Sequence, residues 1–156
     1  MSDKMMFAAD GDQQELELLL LEYGMGLAGE IEEHILVKRD NDIVAGALIT
    51  AVGDSLFHLA VLAVRPENRG QGLGRQLLQQ LLNQPEKYCY GSVSASSAVW
   101  QMTTVARGVA VDFYKANGFV ACDFSDLIFP YQEQCAQCPE KESCNPIPMI
   151  FSCSEK

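Results

Sequence analysis

Val64-Arg65-Pro66-Glu67-Asn68-Arg69-Gly70-Gln71-Gly72-Leu73-Gly74-Arg75 is the stretch whose reading decides the fold. It follows an apolar run and opens onto leucines at 73, 77, 78, 81 and 82, which is helical spacing. Gly70, Gly72 and Gly74 strip every Cβ from alternate positions, so the amides of one short loop can converge on an anion. The free N–H groups and positive dipole end of the following helix stand beside the same loop. A Walker loop is excluded, because Gly74 is followed by Arg75 and Gln76 where Lys and Ser or Thr are required. A dinucleotide fingerprint is excluded as well, since its third glycine would fall inside the helix.

Working outward, β-branched runs cover 34–40, 42–52 and 55–64, punctuated by Asn41-Asp42 and Gly53-Asp54. These predict three antiparallel strands, the third leading into the glycine loop and a helix over 72–83 that Pro85 stops. A further strand is expected at 88–94, and the intervening helix lets it run parallel to 55–64. A Ser/Thr-rich connection at 95–106 holds Trp100, and a second helix follows at about 105–117, ended by Gly118 as a left-handed residue. The stretch 119–129 is apolar enough for a strand. Upstream, 4–8 reads as a short strand, and Asp12 to Glu15 as a capping box for a helix over 12–23. Glycines at 24, 26 and 29 leave 24–33 open between a short helix and a loop.

Arg69-x-x-Gly72-x-Gly74 after strand-Val-x-Pro closely resembles the coenzyme A loop of the GCN5-related N-acetyltransferases (GNAT). Ala110-Val-Asp-Phe113-Tyr114-Lys-Ala-Asn-Gly118-Phe119 is similar to the second signature of the same family, and the likeness covers about residues 34–124. The stretch 147–151 resembles the closing strand of one bacterial subgroup of the family, and Pro148 would confine it to an edge or a bulge. The resemblance implies an α/β fold of the GNAT acyl-CoA N-acyltransferase type, a mixed, mostly antiparallel, bent sheet flanked by helices. It implies that Arg69, Gly70, Gln71, Gly72, Leu73, Gly74 and Arg75 hold the pyrophosphate of acetyl-CoA. It also sets the thioester carbonyl against the backbone N–H groups of Leu62, Ala63 and Val64. Many members carry an Asn seven residues before the Tyr; here that position is Arg107, which can serve a phosphate or the pantetheine carbonyl instead.

Composition agrees with this reading. A chain of 156 residues, 48% hydrophobic, is enough for one core, expected as a single domain over 1–156. No apolar run is long enough to span a bilayer, and the N-terminus lacks a signal peptide's pattern, so a cytoplasmic address is expected. A net charge of −10 argues against a nucleic-acid partner. Residues 1–33 carry nine acids against Lys4, whereas 65–75 carry Arg65, Arg69 and Arg75 against Glu67. A polyanionic cofactor is thereby directed to one basic island, and a cationic amine acceptor suits the acidic remainder. A homodimer is left open.

Acetyl transfer to an amine needs a neutral nucleophile, stabilisation of an oxyanion and a proton for the departing thiolate. The family signature makes Tyr114 the expected acid. His58 is the candidate base, since strand 56–64 holds no carboxylate. Cys135-x-x-Cys138-x5-Cys144 with Cys153 beyond could close a tetrahedral zinc site, with free thiols or a redox pair as alternatives. Cys89 and Cys122 read as small core residues. The expected activity is direct transfer from acetyl-CoA to a primary amine in a ternary complex. The competing reading is a coenzyme-binding regulator whose cysteine loop senses metal or oxidation.

Overall fold

The structure is a computed structural model that describes residues 3–53, 55–89, 99–127 and 145–153. Among these the chain forms seven strands of a mixed sheet with flanking helices. Its contacts divide it into two compact units, 1–50 with 59–95, and 51–58 with 96–156.

The first unit holds β1 (Lys4–Phe7), β2 (Ile35–Arg39), most of β3 (Asp42–Gly53) and most of β4 (Leu56–Val64), neighbours in that order. β1 and β2 pair antiparallel, as do β2 and β3. The β2–β3 turn falls on Asp40 and Asn41, both at positive φ (53° and 72°), one residue earlier than the Asn41-Asp42 reading. Two left-handed residues in succession give the turn twist that matches two right-twisted strands, and Asp and Asn tolerate it. A bulge interrupts the register, Val37 facing Ala45 while Lys38 faces Ile43. The skipped Val44 offers its carbonyl to the N–H of Arg65 at 2.8 Å.

α1 spans Gln13–Leu21 and buries Leu16, Leu19 and Leu20 against Ala8, Leu36, Ile43, Val61 and Ala63. The capping box expected from Asp12 and Glu15 does not form, because both carboxylates have stronger partners. Asp12 meets Lys38 at 2.7 Å and accepts from the Ala9 N–H at 2.9 Å. Glu15 accepts from the Ile43 N–H and from Arg65 Nη2. The 24–33 stretch is a loop ending in a short 3-10 turn, Ile31–Glu33. Buried His34 pins it: Nδ1 donates to the Glu30 carbonyl at 2.9 Å and Nε2 accepts from the Ala28 N–H at 3.3 Å. α2 covers Leu73–Asn83 with all five predicted leucines buried, and Pro85 opens a further turn, α3 (Pro85–Tyr88), at a position where a missing N–H is harmless.

The second unit holds the first residues of β4, then β5 (Trp100–Ala106), β7 (Ile147–Cys153) and β6 (Val120–Ala121), neighbours in that order. Of the strand expected at 88–94, Tyr88 instead ends α3 and 90–94 lie outside the described residues; a strand, β5, runs through the predicted connection from Trp100. β5 nevertheless runs parallel to β4. The Ser55 carbonyl accepts from the Gln101 N–H, and His58 meets Thr103, so both strands advance together. The predicted 119–129 strand is only two residues long before a 3-10 turn at Phe124–Asp126, with 128–129 outside the described residues. Its shortness explains Pro148, which lies inside β7 rather than at an edge. The Pro148 carbonyl accepts from the Cys122 N–H, so in an antiparallel strand its missing N–H faces the same side, where β6 has already ended. Trp100, Phe57, Phe119 and Phe151 form the aromatic core of this unit, with centroids 5.5–6.0 Å apart along the chain of contacts.

Candidate active site

In the first unit β4 ends at Leu62, Ala63 and Val64, and the chain turns through Pro66–Asn68 into the glycine loop. Arg65 is not a free member of the basic island. Its Nε donates to the Ile43 carbonyl at 2.8 Å and its Nη2 to Glu15 at 2.9 Å, which fastens the strand end to β3 and α1. Arg69 remains exposed, with Nε donating to the Tyr23 hydroxyl at 2.9 Å and its Cζ 4.7 Å from the centre of that ring. The same hydroxyl donates to the Val64 carbonyl. Gln71 accepts from Arg39 Nη1 at 3.1 Å.

Gly70 and Gly72 sit at φ +80° and +75°, where an L side chain is strained, and no other atom lies within 4 Å of where a Cβ would be. Gly72 is also the cap of α2, and neither a capping side chain nor an acidic residue stands at its first turn. The first intrahelical bond runs from Gln76 N–H to the Gly72 carbonyl at 3.0 Å, so the amides of Leu73, Gly74 and Arg75 precede the ladder. A helix start without an acid or a cap, reached through bare glycine and flanked by Arg69 and exposed Arg75, has the chemistry of a diphosphate cradle. These residues fit the diphosphate of coenzyme A.

In the second unit, α4 (Val111–Ala116) carries Tyr114 and ends in a Schellman motif. Phe119 N–H reaches the Tyr114 carbonyl at 3.0 Å and Gly118 N–H the Lys115 carbonyl at 3.1 Å, with Gly118 at φ +96° as expected. The helix itself is shorter than predicted: 105–106 belong to β5, and Gly108 opens a 3-10 turn. Gly108 is there because Asn145 packs against it, with an added Cβ meeting the Asn145 amide nitrogen at 2.9 Å. Arg107 is exposed between β5 and that turn.

Tyr114 is 7% exposed, with the Phe113 and Phe119 rings edge-on at 5.2 and 5.3 Å. Burial pushes its phenol well above the usual range, a shift that a hydrogen bond with the Thr104 side chain partly offsets. The phenol therefore carries its proton throughout the neutral range. His58 is 1% exposed, and its Nδ1 lies 2.8 Å from the Thr103 hydroxyl. Burial brings its pKa down to about 4, so the imidazole is neutral at pH 7. Tyr114 and His58 are thus anchored to consecutive residues of β5. Neighbouring side chains leave a strand on opposite faces, and the two candidates are not brought together on one face of that strand.

Of the proposed zinc ligands, Cys135, Cys138 and Cys144 lie outside the described residues, and Cys153 ends β7 half-buried. Among the described residues no group of three or more His, Cys, Asp or Glu side chains could hold a metal ion, and nothing supports the zinc reading. Cys89 follows α3 rather than lying in a strand. Its burial, aided by the charge of Glu86, pushes the thiol up to about 11, which leaves it unreactive. No helix among the described residues is long and apolar enough to cross a membrane.

Comparison with known proteins decides the family, because the acetyltransferase (GNAT) domain family matches residues 30–121, more than half of the sequence. The chain belongs to that family. Three solved structures show how far the GNAT fold is shared. N-acetylglutamate synthase from Neisseria gonorrhoeae, complexed with coenzyme A and N-acetyl-glutamate, superposes with a TM-score of 0.76 at 16% identity over 99% of this chain. The chain spans only 36% of that synthase. The ribosomal-protein-S18-alanine N-acetyltransferase of Escherichia coli gives 0.69 at 17% identity, covering 99% of this chain and 96% of its own. Arabidopsis thaliana Naa50, in complex with the bisubstrate analogue CoA-Ac-MVNAL, gives 0.60 at 15% identity, with 99% and 100% covered. No curated protein matches the sequence.

Tyr23, Thr103 and Thr104, which sequence reading passed over, and Glu15, which it read as part of a capping box, contribute to this GNAT domain's geometry. Tyr23 and Glu15 lie on α1 and beside its end but contact the β4 terminus and its loop, while Thr103 and Thr104 hold His58 and Tyr114. Only the alternation of a buried β5 strand could have pointed to the threonines. No local signal links 15 or 23 to 64–69.

Proposed function

We propose that this GNAT domain, taken as one unit over 1–156, transfers the acetyl group of acetyl-CoA directly to a primary amine in a ternary complex. The observation that carries the reading is the bare-backbone loop at Gly70 and Gly72 opening onto an uncapped helix. Acetyl-CoA supplies an activated acyl group whose thioester carbon is open to a nucleophile. The amide groups of Gly70 to Arg75 would bind the diphosphate, with Arg69 adding charge. The amides of Leu62, Ala63 and Val64 would face the thioester oxygen, and Arg107 a polar atom further along the pantetheine or its phosphate.

The amine lone pair attacks the carbonyl carbon, and negative charge gathers on the oxygen, where main-chain N–H groups stabilise it. The C–S bond then breaks, and the electron pair leaves with sulfur. Tyr114, protonated at neutral pH although burial makes it a weaker acid, donates its phenolic proton to the thiolate, and its phenolate is reprotonated from solvent, which receives the amine's proton. The proton released by the amine passes to water. His58, buried and held neutral on the other face of β5 from Tyr114, is not needed for that step, because an acceptor that arrives as the free base makes a stronger base unnecessary. The acidic N-terminal third favours a cationic acceptor. Relatives described in complex with an amino-acid product or a peptide-bearing analogue support an amino acid or polypeptide amine as the class to try first.

The test is thiol release from acetyl-CoA across a panel of amino acids, polyamines and short peptides, run beside Tyr114→Phe. Release with at least one amine, lost in the variant, is the expected result. Tight coenzyme A binding with no release from any amine overturns transfer in favour of a coenzyme-binding regulator.

A further inference from the structure

One phenol joins three parts of the first unit that are remote in sequence. Tyr23 stands just beyond α1, where a Schellman motif fixes its backbone: Met25 N–H reaches the Leu20 carbonyl at 3.0 Å, Gly24 N–H reaches the Leu21 carbonyl at 3.0 Å, and Gly24 takes φ 69°. From this rigid base the hydroxyl donates to the carbonyl of Val64, the last residue of β4, and accepts from Arg69 Nε at 2.9 Å. The ring lies under the Arg69 guanidinium at 4.7 Å. A hydroxyl has one proton to give and lone pairs to receive, so the two bonds run in series from arginine through phenol to carbonyl, each polarising the next. Both ends of the 64–69 connection are therefore tied to one atom. That connection is the span between the strand end and the glycine cradle.

We propose that Tyr23 is a positioning residue for the coenzyme grip, holding Arg69 in place for a diphosphate and setting the distance from the strand end to the cradle. The proposal rests on the reading of Gly70–Arg75 as the diphosphate site. Among the described residues Arg69 uses only Nε and its ring-facing surface in these contacts, which leaves both Nη groups for an anion. An exposed arginine has many rotamers to lose, and holding it beforehand removes much of the ordering cost that binding would otherwise bear. A tyrosine that merely filled space would act through its ring alone.

Tyr23→Phe separates these cases, because it keeps the ring and deletes the hydroxyl. Coenzyme A affinity is measured by calorimetry for the wild type, Tyr23→Phe, Arg69→Gln and the double variant, with melting temperature as a folding control. The expected result is a loss of about fivefold in affinity for each single variant, the scale of one hydrogen bond, and no further loss in the double variant. In turnover, KM for acetyl-CoA rises by a similar factor while kcat stays within about twofold, which is the signature of lost binding rather than lost chemistry. Wild-type affinity in Tyr23→Phe, or losses that simply add in the double variant, overturns the pin and leaves the cradle standing. Failure of the wild type to bind coenzyme A at all overturns the cradle reading, and the pin with it.

Discussion

The glycine loop of the first unit and the Tyr114 region of the second solve opposite physical problems. The loop presents exposed main chain at positive φ, with nothing within 4 Å of the missing Cβ atoms of Gly70 and Gly72, and makes its chemistry by leaving side chains out. Around Tyr114 and His58 two polar side chains are buried among aromatic and aliphatic neighbours, and burial has shifted both pKa values away from the charged form. The first region is governed by backbone conformation and the second by desolvation. Substitutions should therefore damage them through different observables.

The largest effect belongs to the buried region. Tyr114→Phe keeps the ring packing against Phe113 and Phe119, so stability should change by about 1 kcal/mol or less, the scale of one neutral hydrogen bond. Turnover should fall roughly a hundredfold or more, as expected for loss of a general acid, with acetyl-CoA affinity nearly unchanged. Equal losses in kcat and affinity would move Tyr114 from proton transfer to binding and blur the contrast between the regions.

Acid sensitivity comes next. The neutral His58 imidazole is the form the folded protein holds, with a pKa of about 4 against about 6.5 when unfolded. Above pH 6.5 both states are neutral, and the shift contributes nothing to a pH dependence. As pH falls from 6.5 to 4 the unfolded chain takes the proton first, so stability is lost, by about 3 kcal/mol once the folded-state pKa is passed. Urea unfolding at pH 7, 5.5 and 4.5 measures this, and His58→Gln should remove that part of the slope. A wild-type slope that survives the substitution would show that other groups set the acid limit.

Smaller still is Gly72→Val. Its cost is a left-handed backbone without glycine, about 1–2 kcal/mol, and coenzyme A affinity should weaken roughly tenfold while Tyr114-dependent chemistry on bound substrate survives. Calorimetry beside single-turnover acyl transfer separates the two. The smallest effect is expected at Gly26, where a Cβ meets nothing within 4 Å and φ is not in the left-handed range, so Gly26→Ala should leave stability within about 0.5 kcal/mol by thermal unfolding. A large loss there would mean that the 24–30 loop carries a constraint beyond the His34 clamp.

The loop was legible before any coordinate, because glycine spacing, proline and leucine periodicity are local signals. So were the three strands at 35–64, within a residue or two, and the left-handed Gly118. What failed to read was long-range. Asp12 and Glu15 look like a capping box in sequence, yet Lys38 and Arg65 take their carboxylates. Tyr88 closes a helical turn instead of opening a strand, since Pro85 serves as well to start a helical turn as to stop one. Pro148 looks like an edge residue, yet its silent side merely faces a two-residue neighbour.

The sequence by itself determined where an anion could be gripped, because that depends on which residues lack a Cβ and which repeat with helical period, and neither property needs a partner. Only the tertiary structure decided which charges are free to use. Arg65 is held by Glu15, Arg69 is held by Tyr23, and His58 is stripped of its usual basicity. The reason is physical: a side chain's charge, proton and reach are set by the groups that chain folding brings within about 4 Å of it, and those come from distant positions.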